Sequence, residues 1–77
     1  MRAYVLVTTR PTEAPSVTHQ LSTMQGVTNV AIIGRGPYDI ICTLEQPNEE
    51  AVYQRVMNGI LGVDGVAQAV TCIVSKR

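Results

Sequence analysis

Short apolar runs alternate with polar, helix-like stretches along this chain, and the order repeats once. Residues 3–9 form an apolar run rich in β-branched side chains, the composition of a pleated, half-buried strand. Val17, Leu21 and Met24 follow at spacings i, i+4, i+7, one face of a helix. A second apolar run covers 30–33, a third covers 39–45, Tyr53, Met57 and Ile60 repeat the helical spacing, and 67–75 closes the chain. Adding 36 to a residue number in the first half lands on a counterpart in the second: Pro11, Thr12 and Glu13 meet Pro47, Asn48 and Glu49, Gly26 and Val27 meet Gly62 and Val63, and the run 4–8 meets 40–44. Self-similarity at one offset points to the same unit used twice. Strand–helix–strand, twice, is therefore the expected grammar.

Local chemistry agrees with those boundaries. Thr12 and Asn48 are expected N-caps, since their side-chain oxygens can accept from unpaired N–H groups of the first helical turn. Glu13, Glu49 and Glu50 suit the positive end of a helix dipole, and Pro15 is tolerated only in a first turn. Gly26 and Gly62 end the helices or begin the turns after them. Right-handed crossovers interleave the halves into a four-stranded antiparallel sheet of order 4-1-3-2 with both helices on one face. This is an α+β, ferredoxin-like βαββαβ fold, expected as a single domain over residues 1–77. The first strand then separates Cys42 from Cys72 by two sheet spacings, too far for a disulfide. Both are expected as buried thiols.

The other sheet face is the first functional clue. A strand with one wet face alternates apolar and polar residues. Here Tyr4 and Leu6 oppose Ala3, Val5 and Val7, and 30–33 and 40–42 are apolar at consecutive positions. Two helices on one face leave the second set uncovered, and an uncovered apolar face marks an interaction surface. Homodimerisation through the sheet faces, in the manner of dimeric α/β-barrels, would cover it and create clefts at the interface.

Composition narrows the function. Six basic residues balance six acidic ones in 77 residues, so the basic excess of a nucleic-acid binder is missing. No run approaches the roughly 20 apolar residues of a membrane helix, and no export signal stands at the start. A cytoplasmic protein without a membrane or direct nucleic-acid partner is expected. Candidates for catalysis are thin. His19, the only histidine, falls about 200° from Val17 and Leu21 around a helix, off the apolar stripe. Cys42 and Cys72 sit among apolar neighbours without a histidine partner. Met24 and Met57 lie on the helical stripes and read as core. No metal shell or cofactor motif emerges, so a binding role is expected rather than an enzyme.

One segment has no copy in the repeat. Residues 34–39 join the two halves with Gly34, Arg35, Gly36, Pro37, Tyr38 and Asp39. The glycines can supply unusual backbone angles, and Pro37 can stiffen a hairpin. Asp39, just before an apolar strand, either caps local backbone or presents its carboxylate to a ligand ammonium. Arg35 and nearby backbone groups could take an acidic group, and Tyr38 could wall such a pocket or shield the hairpin.

With Gly36-Pro37-Tyr38-Asp39 leading into Ile40-Ile41, Gly62-Val63 after the second helix, and Thr71-Cys72-Ile73-Val74 at the end, the chain resembles the RAM domain. That is the effector-binding half of the leucine-responsive and asparagine-type (Lrp/AsnC) transcription regulators. The resemblance implies a dimer whose sheets face each other, dimers joined into larger rings, and small effectors, commonly amino acids, held in clefts between dimers by the Gly-x-Tyr-Asp loop. Gly36, Tyr38 and Asp39 match that loop, and Thr71 matches a polar position of the last strand; Gly34 and Arg35 depart from the usual residues. The family's regulators carry a helix-turn-helix domain, whereas this chain starts at its first strand and resembles the stand-alone form. It would then act as a homo-oligomer or by associating with a full-length regulator. Two other readings stand beside this one: a cofactor-free enzyme of the dimeric α/β-barrel type using Tyr4 and Thr43, and a ligand-free oligomerisation partner.

Overall fold

Strand alternation decides which residues meet the helices. The structure, a computed structural model describing residues 1–75, has the order β1 (Arg2–Thr9), α1 (Ala14–Ser22), β2 (Val27–Ile32), β3 (Ile40–Glu45), α2 (Glu49–Asn58), a short 3₁₀ turn (Ile60–Gly62) and β4 (Val66–Ile73). The sheet is antiparallel with order β2-β3-β1-β4, the expected 4-1-3-2 read from the other edge. This is the ferredoxin-like α+β fold. β2 starts earlier than the run 30–33, and β4 ends at Ile73.

Ala3, Val5 and Val7 of β1 and Ile40, Cys42 and Leu44 of β3 are fully buried on one face. Val17 and Leu21 of α1, with Val52, Val56 and Ile60 from α2 and its 3₁₀ turn, close over them. α1 lies chiefly over β2, and α2 with its turn lies over β4. Side chains in a strand alternate faces, so opposed residues of neighbouring strands share a face. Because Leu6 opposes Ile41 and Val70, and Tyr4 opposes Thr43 and Cys72, these six residues share the face that carries no helix. Leu6, Ile41 and Val70 are only half-buried there, and Cys72 is exposed.

Several expectations are corrected. The offset of 36 does not describe the residue register, because odd-numbered residues of β1 and even-numbered residues of β3 point inward. A one-residue slip exchanges the faces of a strand. In α2 the buried stripe is Val52, Val56 and Ile60, while Tyr53 is 43% and Met57 66% exposed. Met57 is therefore not core. Met24 does pack against the core from the end of α1. Val56→Ala is expected to cost about 2–3 kcal/mol for lost methyls and the cavity, and Met57→Ala within about 0.5 kcal/mol of zero. Urea unfolding of both variants measures the difference.

The capping assignments divide. Asn48 caps α2, its Oδ1 accepting from the backbone N–H of Ala51 at 2.8 Å. Thr12 does not cap α1: its φ of +69° places it in the left-handed turn before the helix, and Glu13 takes the N-cap position without a side-chain cap. The Glu13 carboxylate is instead engaged by Arg10, which also reaches Asp64 at 2.8 Å, tying the start of α1 to the turn before β4. That guanidinium holds the Glu13 carboxyl below its ordinary range.

Both cysteines are free, but Cys72 is exposed on the helix-free face, against the expectation that it is buried. Burial pushes the Cys42 thiol up to about 11, because desolvation disfavours the thiolate. Iodoacetamide near pH 8 is therefore expected to reach Cys42 only after unfolding, and Cys72 in the folded chain wherever no second chain covers this face. Mass mapping of the labelled peptides checks this order.

Candidate functional site

The hairpin between β2 and β3 is built around Asp39. The backbone N–H of Asp39 donates to Val7 O at 2.9 Å, prolonging the β1–β3 ladder by one step. Its own carbonyl accepts from the N–H of Ile33 at 2.8 Å, closing the loop of residues 34–38. β1 changes register against β4 between Thr8 and Thr9. Beyond that irregularity the N–H of Thr9 donates to Asp39 Oδ2 at 2.8 Å, with the Thr9 hydroxyl at 3.4 Å from the same oxygen. A side-chain oxygen thus takes the place of the next ladder acceptor after the backbone turns away. The carboxylate is fixed, half-buried, at the sheet's end, and both contacts go to Oδ2.

Of the two sequence readings of Asp39, backbone capping is what the structure contains, but the capped N–H is that of Thr9, 30 residues away, and not the local backbone expected. This cap does not consume the whole group, because an ionised carboxylate has about four acceptor positions on two oxygens. Beside it Tyr38 is half-buried, and Gly34, Arg35, Gly36 and Pro37 are exposed. Gly36 has φ +136°, a conformation L side chains rarely adopt. Arg35 enters none of the described ion pairs, which join Arg2 to Glu45 and Arg10 to Glu13 and Asp64. The loop therefore presents one anchored carboxylate and one uncommitted guanidinium.

Thr71 stands apart from this group. It opposes Val5, so it shares the helix-side face with Ala69 and Ile73, whereas the loop adjoins the far end of β1. Val5 and Thr9 are four strand residues apart, about 13 Å. Within one chain Thr71 is not brought to the loop. Tyr4 and Thr43, the pair weighed for catalysis, do oppose each other on the helix-free face. His19 is exposed on α1. Among the described residues no group of three or more His, Cys, Asp and Glu side chains is placed to hold a metal ion. No helix among them is long and apolar enough to cross a membrane. The partner of Asp39 was missed in the sequence because Thr9 lies 30 residues away; only the sheet order, with β1 beside β3, could have signalled it.

No protein-family model matches the sequence, and no curated protein matches it. Solved structures do match in fold. A protein of Thermus thermophilus superposes with TM-score 0.91 at 24% identity, covering 99% of this chain and 94% of that one. AsnC of E. coli superposes with TM-score 0.90 at 19% identity, covering 99% of this chain and 51% of AsnC. A transcriptional regulator of Neisseria meningitidis, solved in complex with L-methionine, gives 0.85 at 19% identity, covering 97% of this chain and 49% of the regulator. The chain spans about half the length of these two regulators. At such identities the likeness establishes a shared fold.

Proposed function

We propose that this chain is an effector-binding domain of the RAM type, related to the Lrp/AsnC regulators, which binds an amino acid or similar small metabolite. The single observation that carries the reading is the anchored Asp39 carboxylate in a loop whose Arg35 enters none of the described ion pairs. An α-amino acid carries one cation and one anion, and this loop offers the complement of each. Gly36 and Tyr38 belong to the same loop, and the residues match the Gly-x-Tyr-Asp pattern. A fold shared with a methionine-bound regulator supports the same ligand class.

In this reading two chains pair through their helix-free sheet faces. Tyr4, Leu6, Ile41, Val70 and Cys72 supply the apolar surface, and dimers associate further so that a neighbouring chain completes the ligand cleft. Any contribution of Thr71 comes from such a neighbour. The protein then senses a metabolite as a homo-oligomer or together with a full-length regulator, in the cytoplasm, and without touching DNA itself.

A thermal-shift screen of the twenty amino acids on the native oligomer tests this. A ligand at a hundredfold excess over its dissociation constant stabilises by about 2.7 kcal/mol, which raises Tm by roughly 10–20 °C in a domain of this size. At least one amino acid should do so, and an unmoved Tm across the whole set at millimolar ligand counts against the proposal.

A further inference from the structure

A groove of about 460 Å³ runs along one flank of α2 and shares no residue with the loop 34–39. Among the described residues its only cation is Arg55, and the rest of the lining is the amide residues Gln46, Asn48, Gln54 and Asn58 with Glu50 and Ala51. Pockets of several hundred Å³ suit small metabolites.

Arg55 is unusual for a helix-surface arginine. It enters none of the described ion pairs, and its Nε is buried without a hydrogen-bond partner. The stem of Arg55 passes close to Gly59 at the end of the helix. A Cβ there would lie 2.7 Å from Arg55 O, 3.2 Å from Arg55 Cδ and 3.0 Å from Met24 Sδ. The missing side chain at 59 leaves the space in which Arg55 folds beside Met24. A guanidinium so placed has lost freedom already and has gained no carboxylate in return.

The neighbouring amides are oriented by their own bonds. Asn48 Oδ1 is committed to Ala51 N–H, which leaves its Nδ2 as a donor. Asn58 Nδ2 donates to Gln54 Oε1 at 2.7 Å, which leaves the Gln54 Nε2 donors. Free N–H groups beside an unpaired guanidinium make an acceptor-seeking surface, and charge-assisted bonds to an oxyanion are about twice as strong as neutral ones. Glu50 lines the same groove and opposes an anion there. It sits five residues before Arg55, about 7.5 Å along the helix axis, and Asn48 sits further still, so the anion is placed at the end where Arg55 adjoins Gln54 and Asn58.

We propose that this groove is a second ligand site, which takes a small metabolite through an oxyanion, carboxylate or phosphate, seated on Arg55 and the adjoining amide donors. It lies on the helix side of the sheet, so pairing of the sheet faces leaves it open. It is independent of the loop site, and one can fail without the other.

The test is a titration of the ¹⁵N-labelled protein with inorganic phosphate and, separately, with succinate at constant ionic strength, following the Arg55 Nε–H and Gln54 side-chain resonances. Saturable shifts are expected. Saturation by phosphate alone assigns a phosphate ligand, and by succinate alone a carboxylate. Arg55→Gln should raise the half-saturation concentration at least about tenfold, whereas Arg35→Gln in the loop should leave it unchanged. Shifts that never saturate with either probe, as for a groove that holds only water, overturn the site. So does saturation in Arg55→Gln equal to that of the parent. Should Arg55→Gln fail to fold, Glu50→Gln decides: losing a like charge should tighten phosphate binding about twofold, and an unchanged value overturns the site.

Discussion

Leu6→Asp is expected to turn the proposed dimer into a folded monomer. Leu6 lies on β1, one of the two inner strands, between Ile41 of β3 and Val70 of β4, on the face that no helix covers. In a single chain a carboxylate there remains in contact with water, so the fold should persist with an unchanged far-ultraviolet spectrum. In a two-fold dimer the substitution enters twice, and each copy must be desolvated against an apolar partner. An unpaired buried charge costs several kcal/mol even after relaxation. Two copies raise the dimer dissociation constant by at least about a thousandfold. Sedimentation velocity at micromolar concentration should show the dimer boundary replaced by a monomer boundary. An unchanged boundary would place the interface elsewhere, because no packed apolar interface tolerates two such charges at its centre.

The largest loss of folding stability is expected from Leu21→Ala. Leu21 is fully buried and, with Val17, is one of only two buried residues of α1. It joins that helix to the common core with Leu44 and Ile40. Removing its three terminal carbons forfeits transfer energy and leaves a cavity, together about 3–5 kcal/mol. A chain of 77 residues holds a total stability of roughly 4–11 kcal/mol, so this one change takes a large share of it. Tm should fall on the order of 20 °C. Far smaller losses at Met57, exposed on the neighbouring helix, would confirm that depth in the core, not hydrophobicity, sets the cost.

The contrast between α1 and α2 also explains what could be read from the sequence. Sheet order, helix number and the uncovered face all follow from runs of apolar residues and the rule for crossovers, and these are as expected. The register within α2 does not, because Val52, Val56 and Ile60 lie beside a second apolar series, Tyr53, Met57 and Leu61. Both series satisfy a helical period, and the second is exposed. Matching the halves at an offset of 36 selected Tyr53 and Met57 from the exposed series, with Ile60 from the buried one. The true correspondence of buried residues, Val17 with Val52 and Leu21 with Val56, is 35.

The same one-residue ambiguity runs through the strands. Val5 and Cys42 are paired and both buried, so a repeat read at an even offset mixes inward and outward residues. The repeat is one of topology, not of register. Thr12 failed as a cap because its backbone turns left-handed, which no side-chain preference discloses. Asp39 was legible as a candidate because it interrupts the repeat next to an apolar strand. Its anchoring by Thr9 was not, because a bond between distant residues exists only once β1 and β3 are neighbours.

That anchoring separates fold from function at Asp39. Asparagine retains an oxygen that can accept from Thr9 N–H, so Asp39→Asn keeps the hairpin and removes the charge offered to a ligand ammonium. A lost charge-assisted bond of about 1.5–3 kcal/mol weakens binding roughly 10- to 100-fold. Native mass spectrometry of the protein as purified, beside Asp39→Asn, tests the proposed function most directly. The expected spectrum shows an even-numbered oligomer that gains the mass of an added amino acid, and an Asp39→Asn oligomer of the same size without it. A monomer, or an oligomer in which the variant retains the ligand as fully as the parent, would contradict a sensor built on this loop.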